Sequence, residues 1–182
     1  MLQRKIADST VRRLAIYLRF LEEFAEQGAD TLSSEALAHR AGTTSAQVRK
    51  DLSFFGSFGK RGLGYDVQAL AGELREILGL TRRYRVMMIG AGRLASALVQ
   101  YSGFGARGFD IVAVLEKDPA KIGQTWGDIP VQDVAQLEQV VREQQVDLAV
   151  LVTPADPAQG LVDRLVAAGV TAILNFAPVQ LH

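Results

Sequence analysis

The 182-residue chain contains no cysteine. That excludes disulfides, thiolate metal sites and thiol-based redox switching, and it suits a reducing cytoplasm, the location expected here. Histidine is almost absent: only His39 and His182 occur. His39 reads as a surface residue or helix cap, and neither histidine is placed to act as the acid/base of hydride chemistry, which argues against an enzyme. No apolar run reaches the roughly 18 residues of a membrane span. The opening MLQRKIADST has no apolar stretch behind its charges. Metal-ligand clusters and a G-x-S-x-G nucleophile elbow are missing too, so no metal and no catalytic residues are expected.

Net charge is also zero, but as an average of unlike halves. Residues 1–85 hold 14 Lys+Arg against 10 Asp+Glu, and residues 86–182 hold 6 against 10. From Arg40 to Arg61 five cations accompany a single anion, Asp51. Such a patch suits a polyanion, because each neutralised phosphate releases counterions. A solvated basic face is the plainer alternative.

The chain divides by pattern. Val11, Leu14, Leu18, Leu21 and Ala25 recur at three- and four-residue steps and predict a helix with an apolar stripe, ended by Gly28. Ser33 offers the N-cap of a second helix. Thr44 with Gln47 fits a capping box for a third, which runs to about Phe55 with Val48, Leu52 and Phe55 inward. GSFGKRGLGYD follows, a glycine-rich ribbon, then a helix from Val67 to about Leu78. Beyond the basic segment 81–85 the pattern becomes strand, glycine turn, helix, repeated. The expectation is an α/β protein: a winged-helix DNA-binding domain (1–80), a linker (81–85) and a Rossmann-like parallel-sheet domain (86–182).

Three short helices followed by a ribbon place the third helix in the major groove. With Val48, Leu52 and Phe55 inward, Ser45, Gln47, Arg49, Lys50 and Ser53 are the candidates to meet DNA, since Arg and Lys reach guanine or phosphate and Gln pairs with adenine. Lys60 and Arg61 at the ribbon tip suit the negative potential of a minor groove. A small helical association domain remains the rival reading.

The second constellation is Gly90-Ala91-Gly92-Arg93-Leu94-Ala95, a G-x-G-x-x-A turn between a strand (Val86–Ile89) and a helix. The first glycine permits the turn, the second lets the backbone approach a pyrophosphate, and the small third residue permits close packing. Glu116, at the end of the next strand, would accept from a ribose diol and repel a 2′-phosphate, favouring NAD(H) over NADP(H). A purely structural glycine turn is the alternative. Strand ends at Thr153-Pro154 and Asn175-Phe176 fall where such sheets bind ligands, although they also fit ordinary strand terminators.

These residues resemble the Rex family of redox-sensing bacterial repressors. The resemblance runs from Val48-Arg49-Lys50-Asp51-Leu52-Ser53-Phe54-Phe55-Gly56 through Arg61-Gly62 and Gly64-Tyr65. It continues through the glycine turn, Tyr101, Gly103-Phe104, Asp118-Pro119 with Lys121-Ile122-Gly123, and Ile173-Leu174-Asn175-Phe176-Ala177-Pro178. It implies a homodimer on palindromic operator DNA, released when NADH replaces NAD+, with both nucleotides bound as effectors and not turned over. By the same resemblance, Arg49, Lys50, Lys60 and Arg61 contact DNA with Thr44, Ser45 and Gln47 near the front of the reading helix, the glycine turn and Glu116 hold the nucleotide, and Arg19 and Tyr101 belong to a switch. The family more often has Asp at the position of Glu116, and Thr-Val-Pro where this chain has Val-Thr-Pro. It also carries a further C-terminal helix that crosses to the partner subunit; with the sequence stopping at His182, an altered or weakened dimer is expected. A small NAD-dependent oxidoreductase with an accessory N-terminal domain is the competing function.

Overall fold

Helix α1 (Asp8–Glu26) buries Leu14, Tyr17, Leu18 and Leu21 on one face. It is the centre of the first of two units, Met1–Thr81 and Arg82–His182, into which a computed structural model divides the chain. Residues 6–59 and 63–182 are described. Around α1 stand β1 (Thr31–Leu32), α2 (Ser34–Arg40), α3 (Ser45–Ser53), β2 (Tyr65–Asp66) and α4 (Val67–Ile77). Each short helix is started by a side chain that accepts from an otherwise orphaned amide: Ser33 from Ala36, Thr44 from Gln47, Asp66 from Ala69. Leu37, Val48, Leu52, Leu70 and Leu74 close the core against α1. Full burial of each such side chain contributes about 1.5–3 kcal/mol.

The stripe expected on α1 is shifted. Val11 is 42% exposed, whereas Thr10 and Tyr17 turn inward. Their hydroxyls meet a buried carboxylate on α3, which hydrophobic periodicity alone cannot register. β1 and β2 pair antiparallel, so Tyr65 and Asp66 lie alongside Leu32 and Thr31, the segment that precedes α2. Lys60 and Arg61 lie outside the described residues.

The second unit contains β3 (Tyr84–Ile89), α5 (Arg93–Gln100), α6 (Gly103–Ala106), β4 (Phe109–Glu116), β5 (Thr125–Trp126) and β6 (Ile129–Asp133). After them come a 3₁₀ turn (Val134–Gln136), α7 (Leu137–Glu143), β7 (Leu148–Leu151), α8 (Ala155–Ala167) and β8 (Ala172–Asn175). β3 begins inside the expected linker: Tyr84 pairs in register with Phe109 and stacks on its ring, and the Arg85 amide is held by Asp147. The sheet order is β5-β6-β4-β3-β7-β8, with only β5 antiparallel to its neighbour. Met87 and Ile89 point into one apolar layer with Leu115, Leu137 and Leu165, while Val86 and Met88 point into the other with Ala95 and Val114. This is the two-sided burial expected of a parallel sheet. From central β3 the chain winds outward through β4 and β6, then crosses back to β7 and β8. The direction of winding therefore reverses between β3 and β7, where such folds open a crevice at the carboxyl ends of the strands.

Candidate functional site

That crevice is a cleft of about 330 Å³. Gly90, Gly92, Glu116, Thr153 and Pro154 line it, together with Lys117, Asp118, Lys121 and Pro157. Gly90 has φ +102°, and a Cβ there would lie 2.7 Å from the Val152 carbonyl oxygen, so a side chain fits neither the turn nor the space. Gly92 is the N-cap of α5, has φ −94°, and leaves open space where a side chain would stand. Ala91 and Ala95 are buried beneath the turn, and Arg93 and Leu94 are exposed on the first turn of α5.

Glu116 is held from three sides. Its Oε2 accepts from the Ala91 amide at 2.7 Å, and its Oε1 accepts from the amides of Lys117 at 2.7 Å and Asp118 at 3.2 Å. Lys121 Nζ stands 3.6 Å from Oε2. Burial opposes ionisation here, but the three amides and the Lys121 charge outweigh it and hold the carboxyl below its usual range. Lys121 belongs to a stretch that carries the family resemblance, but it is not among the expected site residues. It enters through the turn after β4, which local pattern does not place.

Thr153 Oγ1 is buried at this cleft and has no hydrogen-bond partner. A hydroxyl in that state is costly unless something in the cleft completes it. Gly90, Glu116, the α5 N-terminus and this unmatched hydroxyl together form a donor and acceptor set that fits a dinucleotide. Two of the expected residues do not line this cleft. The Asn175 side chain donates to the Val179 carbonyl and accepts from the Ala177 amide, closing its own turn. Phe176 is 45% exposed and, like Asn175, does not line the cleft.

In the first unit, α3 presents Arg49, Lys50 and Ser53 to solvent, with Ser45 half-buried at its start. Arg49 Nη1 donates to Ser34 Oγ at 2.8 Å, which pre-orients the guanidinium, and Ser53 Oγ donates to the Lys50 carbonyl. Only half of the expected capping box forms. Thr44 accepts from the Gln47 amide, but the Gln47 side chain donates to Asp51 instead of returning to the cap.

Arg19 pairs with Glu23 at 3.3 Å and lies over the Phe20 ring. Glu23 also binds Arg40. In the other unit, Tyr101 is 55% exposed and meets Phe104 edge-on at 5.6 Å. Its ring lies over Gly103, in the space a side chain would fill. Among the described residues no group of three or more His, Cys, Asp or Glu is arranged to hold a metal ion, and no helix is long and apolar enough to cross a membrane.

Residues 81–179 match the family model described as "CoA binding domain", and residues 5–53 match "Putative DNA-binding protein N-terminus". The chain is 47% identical to the redox-sensing transcriptional repressor Rex of Chloroflexus aggregans, covering 96% of this chain and 82% of the relative. It is also 47% identical to that of Streptomyces coelicolor, covering 98% and 69%. Among solved structures it resembles RSP in complex with β-NADH (TM-score 0.91, 36% identity, 98% of this chain and 83% of that one). It likewise resembles RSP in complex with β-NAD+ and operator DNA (TM-score 0.93, 38% identity, 97% and 82%).

Proposed function

The chain belongs to the Rex family of redox-sensing transcriptional repressors, and from that premise we propose that it holds operator DNA through α3 and lets go when NADH fills the cleft beside Gly90. The observation that carries this reading is the cleft itself, where a buried, unmatched Thr153 hydroxyl and an ionised Glu116 flank a glycine turn at the sheet's crossover. RSP, a Rex-family repressor, has been seen with β-NADH and, separately, with β-NAD+ and operator DNA, which supports the same pair of effectors here.

Each residue has a part in this scheme. The amides at the start of α5 face a pyrophosphate and Glu116 takes a ribose diol, as the Rossmann arrangement requires. Thr153 Oγ1 gains its missing partner from the bound nucleotide. The nicotinamide acts as a signal and is not turned over; its two oxidation states differ by one positive charge. That difference can shift an equilibrium only through unequal contacts in the two states. On the DNA side, Arg49 and Lys50 reach base edges or phosphates from α3, Thr44, Ser45 and Ser53 hold the backbone, and Lys60 and Arg61 of the ribbon enter the adjoining minor groove. A homodimer in the cytoplasm, matching two reading helices to half-sites about 34 Å apart, makes the target a palindrome. Arg19 and Tyr101 couple nucleotide occupancy to that spacing.

The test is selection of duplexes from a random pool by the purified chain, followed by a gel shift of the selected duplex against rising NADH and NAD+. Selection of a palindrome, with release by NADH and not by NAD+, is the expected result. Unchanged binding at saturating NADH overturns the switch. Oxidation of NADH by the chain with carbonyl substrates would return the enzymatic reading.

A further inference from the structure

Asp51 sits in the middle of α3, yet it is fully buried. A carboxylate withdrawn from water persists as an ion only with charge and hydrogen bonds around it. Here five bonds converge. Arg13 donates Nε to Oδ2 at 2.6 Å and Nη2 to Oδ1 at 2.8 Å, and Tyr17 donates its hydroxyl to Oδ2 at 2.9 Å. Gln47 Nε2 reaches Oδ1 at 2.8 Å, and Thr10 Oγ1 reaches it at 3.4 Å. Thr10, Arg13 and Tyr17 lie three and four residues apart, on one face of α1, while Gln47 is one turn before Asp51 on α3 itself.

The arrangement is directional in a way the surrounding core is not. Val48 and Leu52 determine how closely α3 approaches, but apolar contact tolerates rotation about the helix axis. A planar guanidinium gripping both oxygens of one carboxylate does not. Buried ion pairs often add little net stability over apolar replacements, so the geometry they impose is the better account of such a cluster.

We propose that Asp51 is a positioning residue: clamped by Arg13 and Tyr17, it fixes the rotation of α3 about its axis and so the direction of Arg49 and Lys50, with Gln47 serving the clamp and not reading a base. This rests on the reading that α3 enters a DNA groove. Discrimination between duplexes then depends on residues that touch no DNA. Phosphate contacts, which tolerate small rotations, depend on the clamp much less.

The experiment uses the full chain and three duplexes: one selected from a random pool by the unaltered protein, its single-base variants, and a scrambled duplex of equal length. Arg13→Lys keeps the compensating charge but loses the fork. It should lower the ratio of selected to scrambled affinity about tenfold or more, while the slope of log affinity against log salt, which counts phosphates, stays unchanged. Gln47→Ala removes one of the five bonds but leaves the fork and the Arg13 charge in place, and it should lower the same ratio by a smaller factor, with no single base pair accounting for the loss. Combined, the two changes should cost less than their sum, because they act on one network. A full ratio in Arg13→Lys, or a Gln47→Ala effect confined to one base pair, overturns the clamp while leaving the DNA reading intact. Failure of the unaltered chain to prefer any duplex overturns both.

Discussion

Glu116 accepts a 2.7 Å hydrogen bond from the amide of Ala91, so the carboxylate at the end of β4 is tied directly to the middle of the glycine turn after β3. One side chain therefore supports the turn and offers its remaining acceptor capacity to the cleft. Glu116→Gln removes the charge and one acceptor while keeping the shape. A hydrogen bond to a charged group contributes about 1.5–3 kcal/mol, so NADH affinity should fall roughly 10- to 100-fold. The preference for NADH over NADPH should narrow as well, since the repulsion of a 2′-phosphate is gone. Titration calorimetry with both nucleotides measures this; an unchanged NADH/NADPH ratio would remove Glu116 from the ribose site.

The two glycines of the turn should separate folding from binding. Gly90→Ala places a Cβ 2.7 Å from the Val152 carbonyl oxygen, a backbone atom that cannot swing aside, at a φ of +102°. A destabilisation of about 2–4 kcal/mol is expected, with loss of nucleotide binding. Gly92→Ala meets nothing within 4 Å and has an ordinary φ. Its stability should stay within about 0.5 kcal/mol of the unaltered chain, while the added methyl blocks close approach of the pyrophosphate and weakens binding. Denaturant unfolding read beside calorimetry distinguishes the pair. Equal stability losses in both would show that the open space at Gly92 is not available to a side chain.

Much of this is legible in the sequence. The centres of β3, β4, β7 and β8 (residues 86–89, 111–115, 148–151 and 172–174) are continuous apolar runs, and runs of that kind between helices announce a parallel sheet. β6 is not visible, because Pro130 and the polar Gln132 and Asp133 interrupt its pattern; only Val131 is buried among its residues. The glycine turn is legible because backbone geometry demands glycine at Gly90, and Glu116 because an acidic residue closes the next apolar strand. Lys121 and the clamp on Asp51 are not, since both depend on partners brought together by the fold. Asp51 also explains why Val11 leaves the expected stripe: hydrophobicity puts valine inside, but the ion on α3 draws Thr10 and Tyr17 inward instead.

Asp51 should also make the first unit acid-sensitive in a defined range. Burial opposes its ionisation, yet the bonds from Arg13, Gln47 and Tyr17 outweigh that and hold its pKa below the ordinary 3.8. As pH falls the unfolded chain takes up the proton first, so the stabilisation is complete above 3.8 and is lost as pH drops through the lower folded value. Asp51→Asn leaves the Arg13 charge facing an amide and should cost roughly 3–5 kcal/mol near neutral pH. The gap between the two proteins should close in the acid range, read as hydrogen-exchange protection of the α3 amides. A gap that stays constant from about pH 5 to pH 2 would exclude Asp51 as the titrating group.

Gly64 and Gly28 have nearly the same backbone conformation, φ +83° and +80°, but different surroundings. At Gly28 a Cβ meets nothing within 4 Å, so alanine should cost only the left-handed conformation, about 1–2 kcal/mol. At Gly64 the same Cβ would lie 2.5 Å from the Leu32 carbonyl oxygen, where the ribbon returns beside β1. Relief requires β1 and β2 to separate. That would disturb Asp66, whose side chain caps α4 through the Ala69 amide. Gly64→Ala should therefore cost about 1–3 kcal/mol more than Gly28→Ala, the sum of a broken ladder and a weakened cap. Denaturant unfolding gives the difference, and exchange at the Tyr65 and Asp66 amides locates it. Equal costs at the two positions would mean that the ribbon can move away from β1 without consequence for the helices beneath it.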